Sequence, residues 1–279
     1  MPVHLHNLIE LATKNMKSKL QSLTFITASS MFVGTALAGT SVGKTPVPPP
    51  IKEEPFMTGN LSLMYETHFI SYGQDVWGGG ASWNDSLFHP SLELDFNLGH
   101  GLQGYINTWW DINSLGVTNI GKNIQEIDVN VGFYYTMDKW KFQLGYGSWN
   151  YASQTEHIID GKVSYNDGLI NPFVMLHGRV GDDISFDTGL VSQVGIAPGT
   201  TLGKVSLVFP ITVSFDTDNF HGGSGGFAYV SAGVNATIPI TSHLAASIGA
   251  TYYHTNDSVI PVNPDSDFVL GSAGLVLTF

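Results

Sequence analysis

The stretch FVLGSAGLVLTF, residues 268–279, carries a small or apolar side chain at every second position: Val269, Gly271, Ala273, Leu275, Leu277 and Phe279. Side chains of a strand alternate between two faces, so this segment reads as a strand with one face apolar throughout. An aromatic ring beside a free carboxylate suits a boundary between hydrocarbon and water better than the interior of a soluble core. Whether the same two-residue rhythm runs through the rest of the chain decides the fold.

The rhythm recurs from Gly59 onward. Alternating segments are separated by turn residues, and each is about as long as the roughly 9–11 residues that a tilted strand needs to cross a bilayer. Twelve are read. The first, 57–71, sets Leu61, Leu63, Tyr65 and Phe69 on one face. The second, 87–98, sets Phe88, Leu92, Leu94 and Phe96 against His89, Glu93, Asp95 and Asn97. After a turn at 99–101, Leu102, Ile106, Trp110 and Ile112 oppose Gln103, Asn107 and Asp111. The fourth opposes Ile127, Val129, Val131, Phe133 and Tyr135 to Glu126, Asp128 and Asn130. Asp138-Lys139 turns into the fifth, with Trp140, Phe142, Leu144 and Tyr146 against Lys141 and Gln143. Strands six to nine are placed at 155–165, 169–179, 184–195 and 203–215, with turns at 166–168 and 196–201. Strands ten (226–239) and eleven (244–255) are joined by Thr241-Ser242-His243, and the opening stretch is the twelfth. Merging the sixth and seventh would give eleven, whereas single-chain bacterial barrels have even strand numbers. Short turns fall at one end. The segments 73–86, 114–123, 216–225 and 256–266, rich in Gly, Asn, Asp and Ser, fall at the other, as in outer-membrane barrels.

Charge decides between a soluble β-sandwich and a membrane barrel. Only 12% of residues are charged, about half the usual share. By parity nearly all strand charges fall opposite the Leu/Val/Ile/Phe face. A sandwich would turn them outward, whereas a membrane barrel turns them into a wet lumen, because a Lys or Arg on the lipid face costs about 2–4 kcal/mol at midplane. The fold class expected is therefore all-β: a transmembrane antiparallel up-and-down barrel of twelve strands, occupying 57–279.

The start of the chain supports export. MKSKLQSLTFITASSMFVGTALAGT (16–40) carries Lys17 and Lys19, an apolar run, then Ala36-Leu37-Ala38. That is the layout of a secretory signal peptide, and residues 1–38 are set aside on this basis, with Met16 as the expected start. Residues 39–56, rich in proline, read as an extended periplasmic linker. The net charge is −12, and removing 1–38 makes it more acidic, which excludes nucleic-acid binding by counterion release. The chain has no cysteine, so no disulfide is expected, and no residue pattern calls for a cofactor or a metal.

Glu66, Glu93, Asp95, Asp111, Glu126, Asp128, Asp160 and Asp187 face inward in this reading, against Lys141, Lys162, Arg179 and Lys204. An excess of fixed negative charge favours cations in a pore. The alternative is a lumen filled by its own side chains, with Tyr105, Trp109, Tyr134, Trp149 and Tyr253 also pointing in. An enzyme is not expected. Outer-membrane phospholipases use Ser and His on the lipid face; Ser148, Asn150 and Ser192 are outward here, but no outward His matches them in parity, and His68, His89 and His177 face in. Asp216, Asp218 and Asn219 could hold calcium in principle, but a plain loop is the better reading. Trp77, Trp83, Trp109 and Trp110 gather toward the outer rim, as interfacial anchors or as guides for a sugar or aromatic solute.

The segments LSLMYETHFISYG (61–73), HPSLELDFNLGHGLQGYINTWWDIN (89–113), IQEIDVNVGFYYT (124–136) and WKFQLGYGSWNY (140–151) resemble, in order and character, the TorF-like putative porin family. The resemblance covers 57–279 and implies an outer-membrane barrel of unassigned solute, with no catalytic residues to carry over. At FISYGQDVWGGG (69–80) the chain departs from an Arg-Gly step common in that family. A terminal Phe on an alternating strand also resembles the signal that the barrel-assembly machinery reads, which makes Phe279, Leu277 and Leu275 the expected assembly signal. The expected function is passive diffusion of small solutes, cations preferred, through the outer membrane. The rivals are a non-conducting structural or adhesive barrel, and a lipid-acting enzyme.

Overall fold

The structure, a computed structural model, describes residues 55–78, 87–116, 120–151, 154–181 and 187–279. The expected signal peptide over 1–38, most of the expected linker over 39–56 and Trp83 lie outside the described residues. The described residues form sixteen strand segments: β1 (Met57–Glu66), β2 (Ile70–Ser71), β3 (Gln74–Asp75), β4 (Leu87–Gly99), β5 (Leu102–Ile112), β6 (Ile124–Met137), β7 (Trp140–Tyr151), β8 (Gln154–Tyr165), β9 (Phe173–Arg179), β10 (Gly189–Ile196), β11 (Gly199–Leu202), β12 (Val205–Val208), β13 (Ile211–Asp216), β14 (Gly226–Pro239), β15 (Leu244–Thr255) and β16 (Asp267–Thr278).

Each wall strand pairs antiparallel with its chain neighbours, and β1 pairs with β16 to close the ring. Two wall strands are interrupted. The register that pairs Ile196 with Ile211 continues unshifted to Gly199 with Val208, so β10–β11 is one spanning strand and β12–β13 another. With β2–β3 standing apart as a separate hairpin, the wall has twelve strands, as the alternation predicts. The interruptions sit at Pro198 and Pro210, which have no N–H to give the ladder, although their carbonyls still accept from Phe209 N and Gly233 N. This corrects the expected turn at 196–201: the chain reverses at Gly203 (φ +63°), and Ala-Pro-Gly stands inside a strand. Lys204, expected in the lumen, is exposed in that turn. The seventh strand starts at Phe173, because 166–172 forms a turn in which Asp167 Oδ1 accepts from the amides of Leu169, Ile170 and Asn171.

The outer surface is apolar. Leu63, Ile106, Val131, Leu144, Ile159, Leu176, Ile248, Val269 and Leu275 all point out, Leu144 with 61% of its surface uncovered. Soluble monomers rarely expose a contiguous apolar patch beyond a few hundred Å². Here the apolar band circles the wall, while His89, Asp111, Glu126, Asp128, Glu156 and His177 are buried inside it. That inversion is what a bilayer requires, and a closed barrel leaves no unpaired strand edge in hydrocarbon. Near the short-turn end the wall carries an aromatic girdle: Trp140 lies 4.8 Å from Tyr165 and 6.4 Å from Phe142, and Phe56 lies 6.0 Å from Phe96. The exposed Phe279 belongs to the same end, and its backbone exchanges hydrogen bonds with Gly59, 2.7 and 3.0 Å long.

The largest departure from the sequence reading lies after β1. The first strand was expected to run to residue 71, but it stops at Glu66, and β2 and β3 form a small hairpin inside the barrel. Its two turn residues, Tyr72 and Gly73, have φ of +48° and +94°, as a primed two-residue hairpin demands. Phe69, expected on the outward face, is therefore inside, 4.9 Å from Trp109. At the hairpin tip Tyr72 stacks on His177 of β9, ring centroids 3.8 Å apart. Strand β9 is six wall strands from β1 in either direction, so this hairpin bridges the full width of the lumen. His68 Nδ1 meets Asp75 Oδ2 at 3.0 Å, Asp75 N donates to Asn263 Oδ1 at 2.8 Å, and Asn263 Nδ2 donates to Gly73 O at 2.8 Å. Val259 and Ile260 of the loop 256–266 form a small core with Ala228 and Tyr229 of β14. Gly73 lies so close to the Tyr229 ring that any side chain there would collide with it.

Candidate functional site: the lumen

The lumen has two charged levels. Toward the short-turn end are Glu93 and Asp95 of β4, Lys141 of β7 and Lys162 of β8. The wall there is filled by Tyr105 stacked on Tyr134 at 4.6 Å. Lys141 Nζ stands 3.8 Å above the Tyr134 ring and Lys162 Nζ stands 4.7 Å from the Phe173 ring. Both lysines are thus held by aromatic faces, a favourable cation–π arrangement.

Toward the loop end the acids gather. Strand register sets Trp109 directly across from Asp128, Asp128 across from Trp149, and Trp149 across from Glu156. Indoles and carboxylates thus alternate around four adjacent strands. One level higher, Asp111 faces Glu126 and Glu126 faces Tyr151. His89 holds Glu66 through Nδ1 (2.6 Å) and Asp111 through Nε2 (3.2 Å). Asp160 takes His177 Nδ1 at 2.7 Å. Arg179 donates Nε to Glu156 Oε2 at 3.2 Å and Nη1 to Phe220 O at 2.9 Å, with its guanidinium 4.1 Å from the Phe220 ring. The inserted hairpin and this wall border an open cavity of about 380 Å³, whose lining includes Glu66, Tyr72, Trp109, Glu126, Asp128 and Trp149.

The structure therefore brings Glu66, Asp111, Glu126, Asp128, Asp160 and Arg179 into the upper lumen, and Glu93, Asp95, Lys141 and Lys162 into the lower. Asp187 is the exception. It stands exposed ahead of β10, off the wall, and its backbone carbonyl accepts from Arg179 Nη1 at 3.2 Å. Glu156 and Asp216, 3% and 6% exposed, are lumen acids that the sequence reading missed. Glu156 shares the parity of Asp160, and Asp216 lies one residue past the expected end of its strand. The expected inward rings Tyr105, Trp109, Tyr134, Trp149 and Tyr253 all lie in the lumen. Trp77 does too, donating to Asp111 Oδ2 at 2.9 Å, whereas Trp110 has outward parity.

On the lipid face one expectation is overturned. His157 points outward directly across from Ser148, so an outward His does match it in parity. Glu156 and Asp160 face inward on β8, and the same alternation turns His157 out. The His157 ring takes the Tyr146 hydroxyl at Nδ1, 2.6 Å away, while Ser148 Oγ donates to Asn150 Oδ1 at 3.4 Å. In the 216–225 loop, Asp216 Oδ2 meets His221 Nδ1 at 2.7 Å and Asp218 Oδ1 accepts from Gly225 N. Both carboxylates thus serve the loop's own conformation.

No family model matches the sequence, and no curated protein matches it. Among solved structures the chain is similar to the NanC porin, at 12% identity and a TM-score of 0.49, over 78% of this chain and 98% of that one. It is similar to the KdgM porin, determined in complex with disordered oligogalacturonate, at 9% identity and a TM-score of 0.45, over 79% and 99% of the two chains. It is similar to outer membrane phospholipase A from Escherichia coli at 14% identity and a TM-score of 0.42, over 82% and 93%. Likeness at this level says nothing of solute or chemistry.

Proposed function

We propose that the chain is an outer-membrane channel for passive diffusion of small solutes, with a preference for cations. One observation carries the reading: the closed wall is oily outside, and its inner face bears more carboxylates than lysines and arginines. Fixed negative charge in a narrow aqueous path lowers the barrier for positive ions and raises it for negative ones. The TorF-like resemblance of the strand order is in keeping with it. Under this reading the C-terminal strand, with Leu275, Leu277 and Phe279, is the segment offered to the barrel-assembly machinery.

The β2–β3 bridge supports a second reading, a barrel whose lumen is closed. Reconstitution into planar bilayers separates the two. Discrete current steps with a cation-directed reversal potential in a KCl gradient are expected. Absence of steps favours the closed barrel, and anion selectivity defeats the charge argument. Phospholipid hydrolysis lost in Ser148→Ala would move the protein to the enzymes, with His157 as the partner to test next.

A further inference from the structure

The upper cavity is more selective in its lining than conduction requires. Three carboxylates line it, Glu66, Glu126 and Asp128, and no lysine, arginine or histidine is among its described lining residues. Glu66 is engaged by His89. Asp128 is 7% exposed, its carboxyl lies within hydrogen-bonding reach of the Glu126 carboxyl, and no amide, hydroxyl, lysine, arginine or histidine among the described residues donates to its Oδ1. A buried carboxylate oxygen without a partner is unfavourable on its own and points to a group that comes from elsewhere. The flanking positions across the strands are both tryptophans, 109 and 149, and Tyr72 lies 6.2 Å from Trp149 in a stacked arrangement.

We propose that this cavity is a binding site for a small organic cation, a solute with an ammonium group attached to an apolar or planar body. The ammonium would donate to Asp128 Oδ1 beside Glu126, and the body would lie among Trp109, Trp149 and Tyr72. Aromatic faces attract cations and stack planar groups, which is why ammonium sites are so often aromatic cages. A bare divalent ion fits less well. It demands six or more oxygen ligands in a tight shell, and no cluster of three ligating side chains close enough to hold a metal occurs among the described residues. A volume of about 380 Å³ is at the low end of the ~300–1,000 Å³ range of small-ligand pockets. The proposal deepens the cation-channel reading and rests on it for its biological sense, but binding itself is measurable without conduction.

The test is a titration of the detergent-solubilised barrel with 2-phenylethylammonium, followed by tryptophan fluorescence and calorimetry. 2-Phenylethanol and phenylacetate are the neutral and anionic comparators, and glucose serves as a neutral sugar. Saturable binding of the ammonium, at least tenfold tighter than the alcohol, is expected. Asp128→Asn should weaken it at least tenfold in protein that keeps its folded, heat-modifiable mobility. Should Asp128→Asn fail to fold, Trp149→Leu, which leaves every carboxylate in place, is expected to weaken binding and remove most of the fluorescence change. Equal binding of alcohol and ammonium, tighter binding of glucose, or full affinity in a folded Asp128→Asn barrel would overturn the site. Cation-selective current without ammonium binding sinks this inference and leaves the channel; binding without current does the reverse.

Discussion

Tyr72 and His177 lie face to face across the lumen, their ring centroids 3.8 Å apart, although one belongs to the first loop and the other to the wall six strands away. The contact makes the β2–β3 hairpin a crossbar that divides the water path. Replacing Tyr72 by Ala removes its tip and leaves the wall untouched. Single-channel conductance should rise at least about twofold if the narrowest point governs flow. Unchanged conductance would place the main resistance elsewhere, at the Tyr105–Tyr134 level.

Asn263 ties this crossbar to the loop between β15 and β16 by accepting from Asp75 N and donating to Gly73 O. Each such bond contributes about 0.5–1.5 kcal/mol net. Asn263→Ala should therefore free the hairpin by about 1–3 kcal/mol, seen as faster hydrogen exchange at 70–76 and as noisier open-channel current. The thermal transition of the whole barrel should barely move, because no wall pairing is lost.

The inside-out wall makes a paired prediction. Leu144→Arg puts a guanidinium on the exposed outer face and should lower the stability of the barrel in bilayers by about 2–4 kcal/mol. Gln143→Arg, one residue away, enters the lumen and should cost much less. Equal effects in urea-driven folding into lipid vesicles would argue against a lipid-facing wall at this strand.

Selectivity should respond in opposite directions at the lower level. Neutralising Glu93 and Asp95 together, as Gln and Asn, is expected to cut the cation-to-anion permeability ratio by about twofold, and Lys141→Gln to raise it by a similar factor. Reversal potentials in a KCl gradient give the answer. A shift of the same sign in both variants would show that these groups do not act through their charge.

In the 166–172 turn, the amides of Asn171, Leu169 and Ile170 hold the Asp167 carboxylate below its ordinary range. A depressed pKa means that the turn is stabilised above the unfolded carboxylate's pKa and loses that support as pH falls through the lowered value. Protection of the amides at 168–171, their exchange rate referred to that of an unstructured peptide at the same pH, should therefore hold from neutral pH to below about pH 4 and fall only beneath that. Asp167→Asn should exchange faster throughout.

How much of this was legible follows from what each signal depends on. Parity located the wall because lipid outside and water inside enforce it at every residue, so Leu144 and Gln143 could be assigned without coordinates. It also placed Glu66, Asp111, Glu126 and Asp128 in the lumen. It failed where another rule took over. Pro198 looks like a turn marker, yet it occupies a ladder position whose N–H is dispensable. The inward hairpin was missed because Phe69 falls on the same parity as Leu61, Leu63 and Tyr65, a placement that suits a lipid face as well as a packed lumen. Long-range contacts distinguish the two, among them Tyr72 on His177 and the bonds of Asn263, some 190 residues away, and no local pattern encodes them. The alternation of Trp109, Asp128, Trp149 and Glu156 required the strand register, which sequence fixes only through its turns.

The pairing of β1 with β16 differs in kind from the rest. All other wall ladders join strands adjacent along the chain, so each can zip from its own hairpin with a short loop to close. The β1–β16 ladder must unite Asn60 with Thr278, and its loop-closure entropy is the largest, although that penalty grows only as the logarithm of the loop length. Assembly should then be sequential along the chain, with a late, all-or-none locking step in which Phe279 settles over Gly59. Until that step an incomplete sheet presents two sticky edges, and a partner that caps them temporarily would speed productive insertion more than one that stabilises any single hairpin.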